Sequence, residues 1–217
     1  MNSPLPVTNC NQSEQLELDW SSYYAATENS PPRKTLLRAL DAHGAIASEN
    51  YKYAVDLGCG GGRDTVEMLR RGWCVQAMDA QSEAIERVQE RLTPIAPSGR
   101  LSTQVGKFES LILPPEGLDL VNASFSLFFC QPTAFPLVWT EIINSLRPGG
   151  YFSGQFLGEQ DSWAYNAGIS AHPRQQIERL LSPLKIESWE EENQPGETAL
   201  GQDKHWHIFH VVAQKTP

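Results

Sequence analysis

The chain is short of positive charge, cysteine and long apolar runs, and each shortage closes off a class of function. Lys and Arg number 17 against 26 Asp and Glu, a net charge of -9. A nucleic-acid footprint needs clustered basic side chains to displace counterions from phosphates. No such cluster is present, and Arg70-Arg71 reads as a helix C-terminus complementing the dipole. The four cysteines, Cys10, Cys59, Cys74 and Cys130, have neither ligand-type nor paired spacing. They give no support to a structural zinc or a disulfide framework, and Cys59 and Cys74 read as buried thiols. No apolar stretch approaches the roughly 20 residues of a membrane span. Residues 1–15 lack the basic start and apolar core of a signal peptide and read as a flexible tail. Residues 16–217 are expected to form a single domain, with 40% hydrophobic residues for its core. The expectation is a cytoplasmic protein with a small-molecule partner, no nucleic acid, no membrane and no bound metal. Oligomeric state is not legible.

What is abundant sits in one place. Ala54-Val55-Asp56-Leu57 is an apolar run ending near an acid, and Gly58-Cys59-Gly60-Gly61-Gly62 follows it. From Arg63 and Asp64 the pattern turns helical. Strand, glycine turn and helix start is where open α/β sheets hold nucleotide-like ligands. A dinucleotide fingerprint needs glycine at the first, third and sixth loop positions. Gly58 and Gly60 fit, but Arg63 takes the sixth. A pyrophosphate also gains nothing from the nearby Asp56 carboxylate. A ligand carrying a sulfonium and an ammonium in place of phosphates would suit that acid better.

The next strand, Val75 to Asp79, ends in a second acid about 20 residues past the first glycine, where a carboxylate accepts from two ribose hydroxyls. Alone, Asp79 would read as the cap of a helix over 81–92. Strands are expected near 53–57, 74–79, 101–105, 118–124 and 151–157. Helices are expected near 63–71, 81–92 and 134–146, with another opened by Pro31-Pro32 and striped by Leu36, Leu37 and Leu40. Arg147-Pro148-Gly149-Gly150 reads as a turn, its glycine ending a helix. This alternation predicts a parallel sheet with helices on both faces. After a helical stretch over 172–181, segments 184–191 and 205–213 pair as an antiparallel hairpin, since 193–204 is too short for a crossover helix.

Ligands in such sheets lie beyond the carboxyl ends of the strands. Those ends are Asp56, Asp79, the region around Phe108, Asn122 to Phe129, and the loop from Gly158. Phe108 either covers an adenine or belongs to the core. Phe125 and Phe128 either stack on a cationic methyl donor or pack internally. Trp163 is a lid residue or a seal over the sheet end. Phe129-Cys130-Gln131-Pro132 has its proline on the wrong side for a nucleophilic Pro-Cys-Gln. On the last strand His205 and His207 share one face and His210 takes the other. His207 and His205 are the candidates for acceptor binding or proton transfer; a third metal ligand is not visible.

Asp-Leu-Gly-Cys-Gly-Gly-Gly, Asp79, the Leu-Arg-Pro-Gly-Gly turn and the final hairpin resemble the class I S-adenosylmethionine-dependent methyltransferases. Trp20-Ser21-Ser22-Tyr23-Tyr24, Pro31-Pro32-Arg33 and Gly62-Arg63-Asp64 are similar to the small bacterial tellurite-resistance and thiopurine-methyltransferase-like group. The resemblance spans about residues 18–215. It implies a Rossmann-like, seven-stranded, mostly parallel sheet closed by an antiparallel hairpin, with S-adenosyl-L-methionine as cofactor. It makes Trp20, Tyr24, Arg33, Asp56, Gly58, Gly60, Asp79, Phe108 and Asn122 the cofactor contacts, Arg33 for the methionine carboxylate. One departure stands out: Lys107 replaces an acid that the group often has before the adenine-packing residue, so that either Glu109 substitutes or Lys107 points outward, and the adenine contact is open. The implied activity is methyl transfer to a small acceptor. A soft nucleophile (thiol, selenium or tellurium species) needs little help from a base, and the sequence announces no carboxylate–histidine pair near the fourth strand. The alternatives are a methyltransferase acting on protein or nucleic acid, and a non-catalytic binding protein.

Overall fold

The structure, a computed structural model, describes residues 18–44 and 51–216. The expected tail over 1–15 lies outside them. In chain order the elements begin with helices α1 (Trp20–Thr27) and α2 (Lys34–His43), then strand β1 (Tyr53–Leu57) and α3 (Arg63–Arg70). Next come β2 (Cys74–Asp79), α4 (Ser82–Leu92), β3 (Leu101–Val105), β4 (Leu118–Ala123) and α5 (Phe135–Ser145). The chain ends with β5 (Leu146–Gly158), β6 (Ala171–His172), α6 (Arg174–Leu180), β7 (Leu184–Glu197) and β8 (Asp203–Lys215).

The strand order is β3-β2-β1-β4-β5-β8-β7, with the two-residue β6 beside β5. Pairings from β3 to β5 are parallel, and β8 runs antiparallel to both β5 and β7. The order reverses between β1 and β4, where the crevice of an open sheet forms. The seven expected strands are all present, and the eighth is the short β6.

Each face has its own core. Ala54, Val75, Ala77 and Leu120 pack under α2, α3 and α4 with Leu36, Leu40, Met68 and Val88. The alternate residues Val55, Leu57 and Val121 meet Phe135, Trp139 and Ile142 of α5 and Ile177 of α6 on the other face. Burial of each such side chain favours folding by about 1.5–3 kcal/mol. The period-2 alternation along β1 therefore sends Asp56 to the α2–α4 face, below the glycine turn.

Three local expectations are corrected. The helix after Pro31-Pro32 begins only at Lys34, with Arg33 as an extended N-cap, so the prolines hold the approach and not the first turn. The α5 helix ends at Ser145 on an extended Leu146, without a glycine cap. Arg147 to Gly150 is the irregular start of β5, whose register on β4 shifts between Leu118 and Leu120. The hairpin strands are also longer than their apolar patterns, since β7 is mostly an exposed edge strand and its outward side chains are charged.

Candidate functional site

A cavity of about 740 Å³ opens at the carboxyl ends of β1, β2 and β4 and runs toward the tip of the β7–β8 hairpin. One end is built from backbone. Gly58, Gly60 and Gly62 all have left-handed φ, at 69°, 52° and 81°. Gly58 also passes so close to Ser126 that a Cβ would overlap the serine side chain. Asp79 stands over this turn. Its Oδ2 accepts from Gly60 N at 3.0 Å and its Oδ1 from Gln81 N at 2.9 Å. Burial raises its pKa, against these hydrogen bonds and one from Tyr24. A carboxylate has about four acceptor sites, and Gly60, Gln81, Ala80 and Tyr24 occupy them, so a ligand hydroxyl would take the place of one of these donors. The side chain thus holds the entrance to α4 and also lines the cavity, where the ribose role was expected.

The α1 helix, capped by Asp19 through Ser22 N at 3.0 Å, carries aromatic residues over the cavity. Trp20 meets the Phe129 ring edge-on at 5.1 Å between centroids, and Tyr24 packs beside Gly60 with its hydroxyl pKa raised, chiefly by burial. Arg33 lies with its guanidinium 3.9 Å above the Phe125 ring, and its backbone N–H donates to Asp64 at 3.0 Å. Among the described residues the Nε atoms of Arg33 and Arg63 are both buried without a hydrogen-bond partner, Arg63 Nε lying 3.6 Å from Asp64 Oδ1 as an ion pair. Burial, and then the Arg63 charge, lower the Arg33 pKa. Two cationic side chains with orphaned donors on one wall suit an incoming carboxylate.

Of the expected contacts, Trp20, Tyr24, Arg33, Gly58, Gly60, Asp79 and Phe108 line the cavity. Asp56 and Asn122 do not. Asp56 borders only a recess of about 40 Å³ beside the turn. Its oxygens accept from Thr65 Oγ1 at 2.5 Å and Asn122 Nδ2 at 2.8 Å, and burial next to Asp64 pushes its pKa up. Asn122 is fully buried, donating also to Asp64 and accepting from Ser153 at 2.7 Å. Strand parity turns both side chains under the turn, where they tie α3 to the sheet. Neither Lys107 nor Glu109 lines the cavity, and Glu109 instead accepts from Gln131 N at 3.1 Å.

The other end of the cavity is aromatic. Phe125, Phe129, Trp163 and Trp206 line it, with Trp163 and Trp206 5.8 Å apart at an angle of 60°. Lys204 lies over both indoles and pairs with Asp161, and both charges are buried. Phe125 has φ of 54°, a left-handed backbone unusual for a bulky residue. Its N–H donates to Gln155 Oε1 at 2.8 Å. Arg33 therefore covers one face of the ring, the cation–π position that the sequence reading offered to a methyl donor. Cys130 is buried, its thiol pushed up to about 12 by burial, away from the cavity.

The histidine expectation needs correction. His207 is buried on the far side of β8 against Gly158, with Gln160 N donating to its Nδ1 at 3.1 Å. His205 lies 2.7 Å from Asn193 Oδ1 and is also off the cavity wall. The even-numbered face, Trp206, Ile208 and His210, is the one that lines it. Alternation separated the two faces correctly, but only the pairing of β8 with β5 says which one meets the ligand space. Among the described residues no cluster of three or more His, Cys, Asp or Glu is placed to hold a metal, and no helix is long and apolar enough to cross a membrane.

A reversing parallel sheet, a glycine turn under an acid at the end of β2 and a closing antiparallel hairpin make up the Rossmann-like fold seen in solved S-adenosylmethionine-dependent methyltransferases. Residues 54–150 match the family model described as a methyltransferase domain. An uncharacterized methyltransferase of Synechocystis is 29% identical over 112 residues, 51% of this chain and 50% of that protein. The chain thus spans about half the length of that curated relative. Among solved structures, TehB from Haemophilus influenzae superposes with a TM-score of 0.73 at 13% identity, over 87% of this chain and 64% of that one. The Burkholderia thailandensis 1,6-didemethyltoxoflavin-N1-methyltransferase, solved with its substrate and S-adenosylhomocysteine, gives 0.61 at 18% identity, covering 92% and 86%. At such identities these likenesses speak for the fold.

Proposed function

We propose that this protein transfers the methyl group of S-adenosyl-L-methionine to a small-molecule acceptor, using one domain over residues 16–217. The observation that carries the reading is the single cavity with two unlike ends, glycine turn and Asp79 at one, aromatic side chains at the other. The orphaned Nε atoms of Arg33 and Arg63 fit the methionine carboxylate. Asp79 fits the ribose, and Phe108 beside Ala80 and Gln81 fits the adenine. Asp56 and Asn122 act from behind, by holding the turn. When bound, the cofactor supplies a methyl already activated on a sulfonium, which leaves the protein to orient the acceptor and exclude water.

A concave site roofed by α1 and the hairpin suits a small acceptor better than a polymer, and a net charge of -9 disfavours nucleic acid. The substrate-bound 1,6-didemethyltoxoflavin enzyme supports the same choice by likeness of fold. The open acceptor end argues against a non-catalytic binding protein, which would be favoured by a filled one. Calorimetric titration with S-adenosylhomocysteine and, in parallel, NADH tests the proposal. Micromolar binding of the first and none of the second is expected. Binding of NADH alone, or of neither, would overturn it.

A further inference from the structure

One partly buried cluster lines the cavity beside the aromatic end, and the proposed cofactor contacts do not include it. Cross-strand register sets it up: His210 on β8 lies opposite Gln155 on β5 and opposite Glu190 on β7. Glu192, two residues along β7, reaches diagonally to place Oε2 3.4 Å from His210 Nε2. Gln155 fixes the tautomer. Its Oε1 is committed to Phe125 N and its amide nitrogen donates to Thr35 Oγ1 at 3.0 Å. The amide therefore presents N–H, not oxygen, to His210 Nδ1, 3.4 Å away. Nδ1 carries the lone pair and Nε2 the proton, directed at Glu192. Both ring contacts, at 3.4 Å, are long for hydrogen bonds, and the one from Gln155 gives way when Nδ1 takes up a proton. The His210 ring is 5.9 Å from the Phe125 ring, just past the end of β4.

We propose that His210, oriented by Glu192, is the general base of this site, and that the acceptor is a flat aromatic molecule methylated at a ring N–H or a hydroxyl. The inference rests on the methyl-transfer reading above. Phe125, Trp163 and Trp206 give the flat molecule its walls. In the reaction the acceptor's N–H or O–H bond breaks, and its electron pair forms the new bond to the methyl carbon. The old carbon–sulfur pair stays on sulfur, leaving a neutral thioether. The acceptor's proton goes to His210 Nδ1, and the resulting imidazolium is held by the Glu192 carboxylate until solvent takes the proton. Charge balances, because the sulfonium's positive charge ends on the imidazole.

The groups facing His210 are Glu192 and Glu190 from β7 and Arg33 from the segment before α2. Burial is the main influence and lowers its pKa, Arg33 lowers it further, and the two glutamates raise it. The base is thus neutral and ready at physiological pH, which is what proton abstraction requires.

Two readouts test this on the full chain. In histidine ring-proton NMR titrations, with His210→Gln used for assignment, the wild-type His210 should titrate below the ordinary histidine range. Glu192→Gln should lower it by about one further pH unit. No change in Glu192→Gln would overturn the pairing. Methyl transfer is then measured with benzimidazole, 2-naphthol and benzenethiol as flat probes. The wild type should methylate at least one of the first two. His210→Gln should cut that kcat by about 100-fold or more while leaving S-adenosylhomocysteine affinity unchanged, and should change transfer to ionised benzenethiol less than threefold. Methylation of the thiol alone, of none of the probes by a protein that binds S-adenosylhomocysteine, or equal rates in His210→Gln, would overturn the inference. Loss of S-adenosylhomocysteine binding in the wild type would instead sink the methyl-transfer reading beneath it.

Discussion

The two ends of the cavity are made of different materials. The cofactor end is backbone, a turn of left-handed glycines with one carboxylate above it. The acceptor end is side chains, four aromatic rings and a Glu192–His210 pair brought together from β4, β5, β7 and β8. A backbone site is fixed by a dozen consecutive residues, whereas a side-chain site depends on strands paired across the sheet.

The sharpest way to break this contrast is at the acceptor end. Asp161→Ala strands the buried Lys204 between Trp163 and Trp206 without its partner. It also removes the acceptor of the His207 and Trp163 N–H groups. Urea unfolding should show a loss of about 3–5 kcal/mol; under 1 kcal/mol would mean the pair is not what fixes the aromatic wall. At the other end, Gly58→Ala adds a Cβ against Ser126 on a left-handed backbone. Overpacking of this kind costs about 1–3 kcal/mol, visible as a lower midpoint. An unchanged midpoint would show that the turn relaxes freely.

Function should separate the ends in the same way. Asp79→Ala removes the acceptor over the glycine turn and should weaken S-adenosylhomocysteine binding by about 1–3 kcal/mol. His207→Ala, on the far face of β8, should leave that affinity and the acceptor preference as they are. A change in turnover with His207→Ala would return catalysis to the face that parity rejects.

The smallest effect concerns Asp56. Its pKa is raised in the fold by burial and by Asp64. The protonated form therefore adds stability at pH values below the ordinary carboxylate pKa, and this is lost as pH rises through the raised one. Asp56→Asn keeps the shape and removes the titration. It should match wild type near pH 4 and exceed it near pH 8, by on the order of 1 kcal/mol. Thermal unfolding at several pH values reads this, and a parallel loss in both proteins would assign the slope elsewhere.

The same contrast explains what could be read in advance. The glycine spacing and Asp79 pointed to the end of the cavity proposed for the cofactor because only a few backbone conformations let a ligand approach so closely. The strand and helix alternation announced the sheet for similar local reasons. Asp56 was misplaced because spacing along the chain does not say which side of a strand meets the ligand. The Glu192–His210 pair was invisible because its partners are 18 residues apart and meet only through the register of the hairpin. If His210 is the base proposed here, a hard acceptor is served as well as the soft nucleophile that the sequence favoured.

The most direct test of the two-ended cavity is a backbone and side-chain NMR titration of the full protein with S-adenosylhomocysteine. The Gly60 and Gln81 amides, which donate to Asp79, should shift on binding, while the Glu192–His210 pair and the Lys204-facing edge of the Trp206 indole should stay near their free positions. Shifts concentrated at Trp206 and His210, with Gly60 and Gln81 unmoved, would contradict the account.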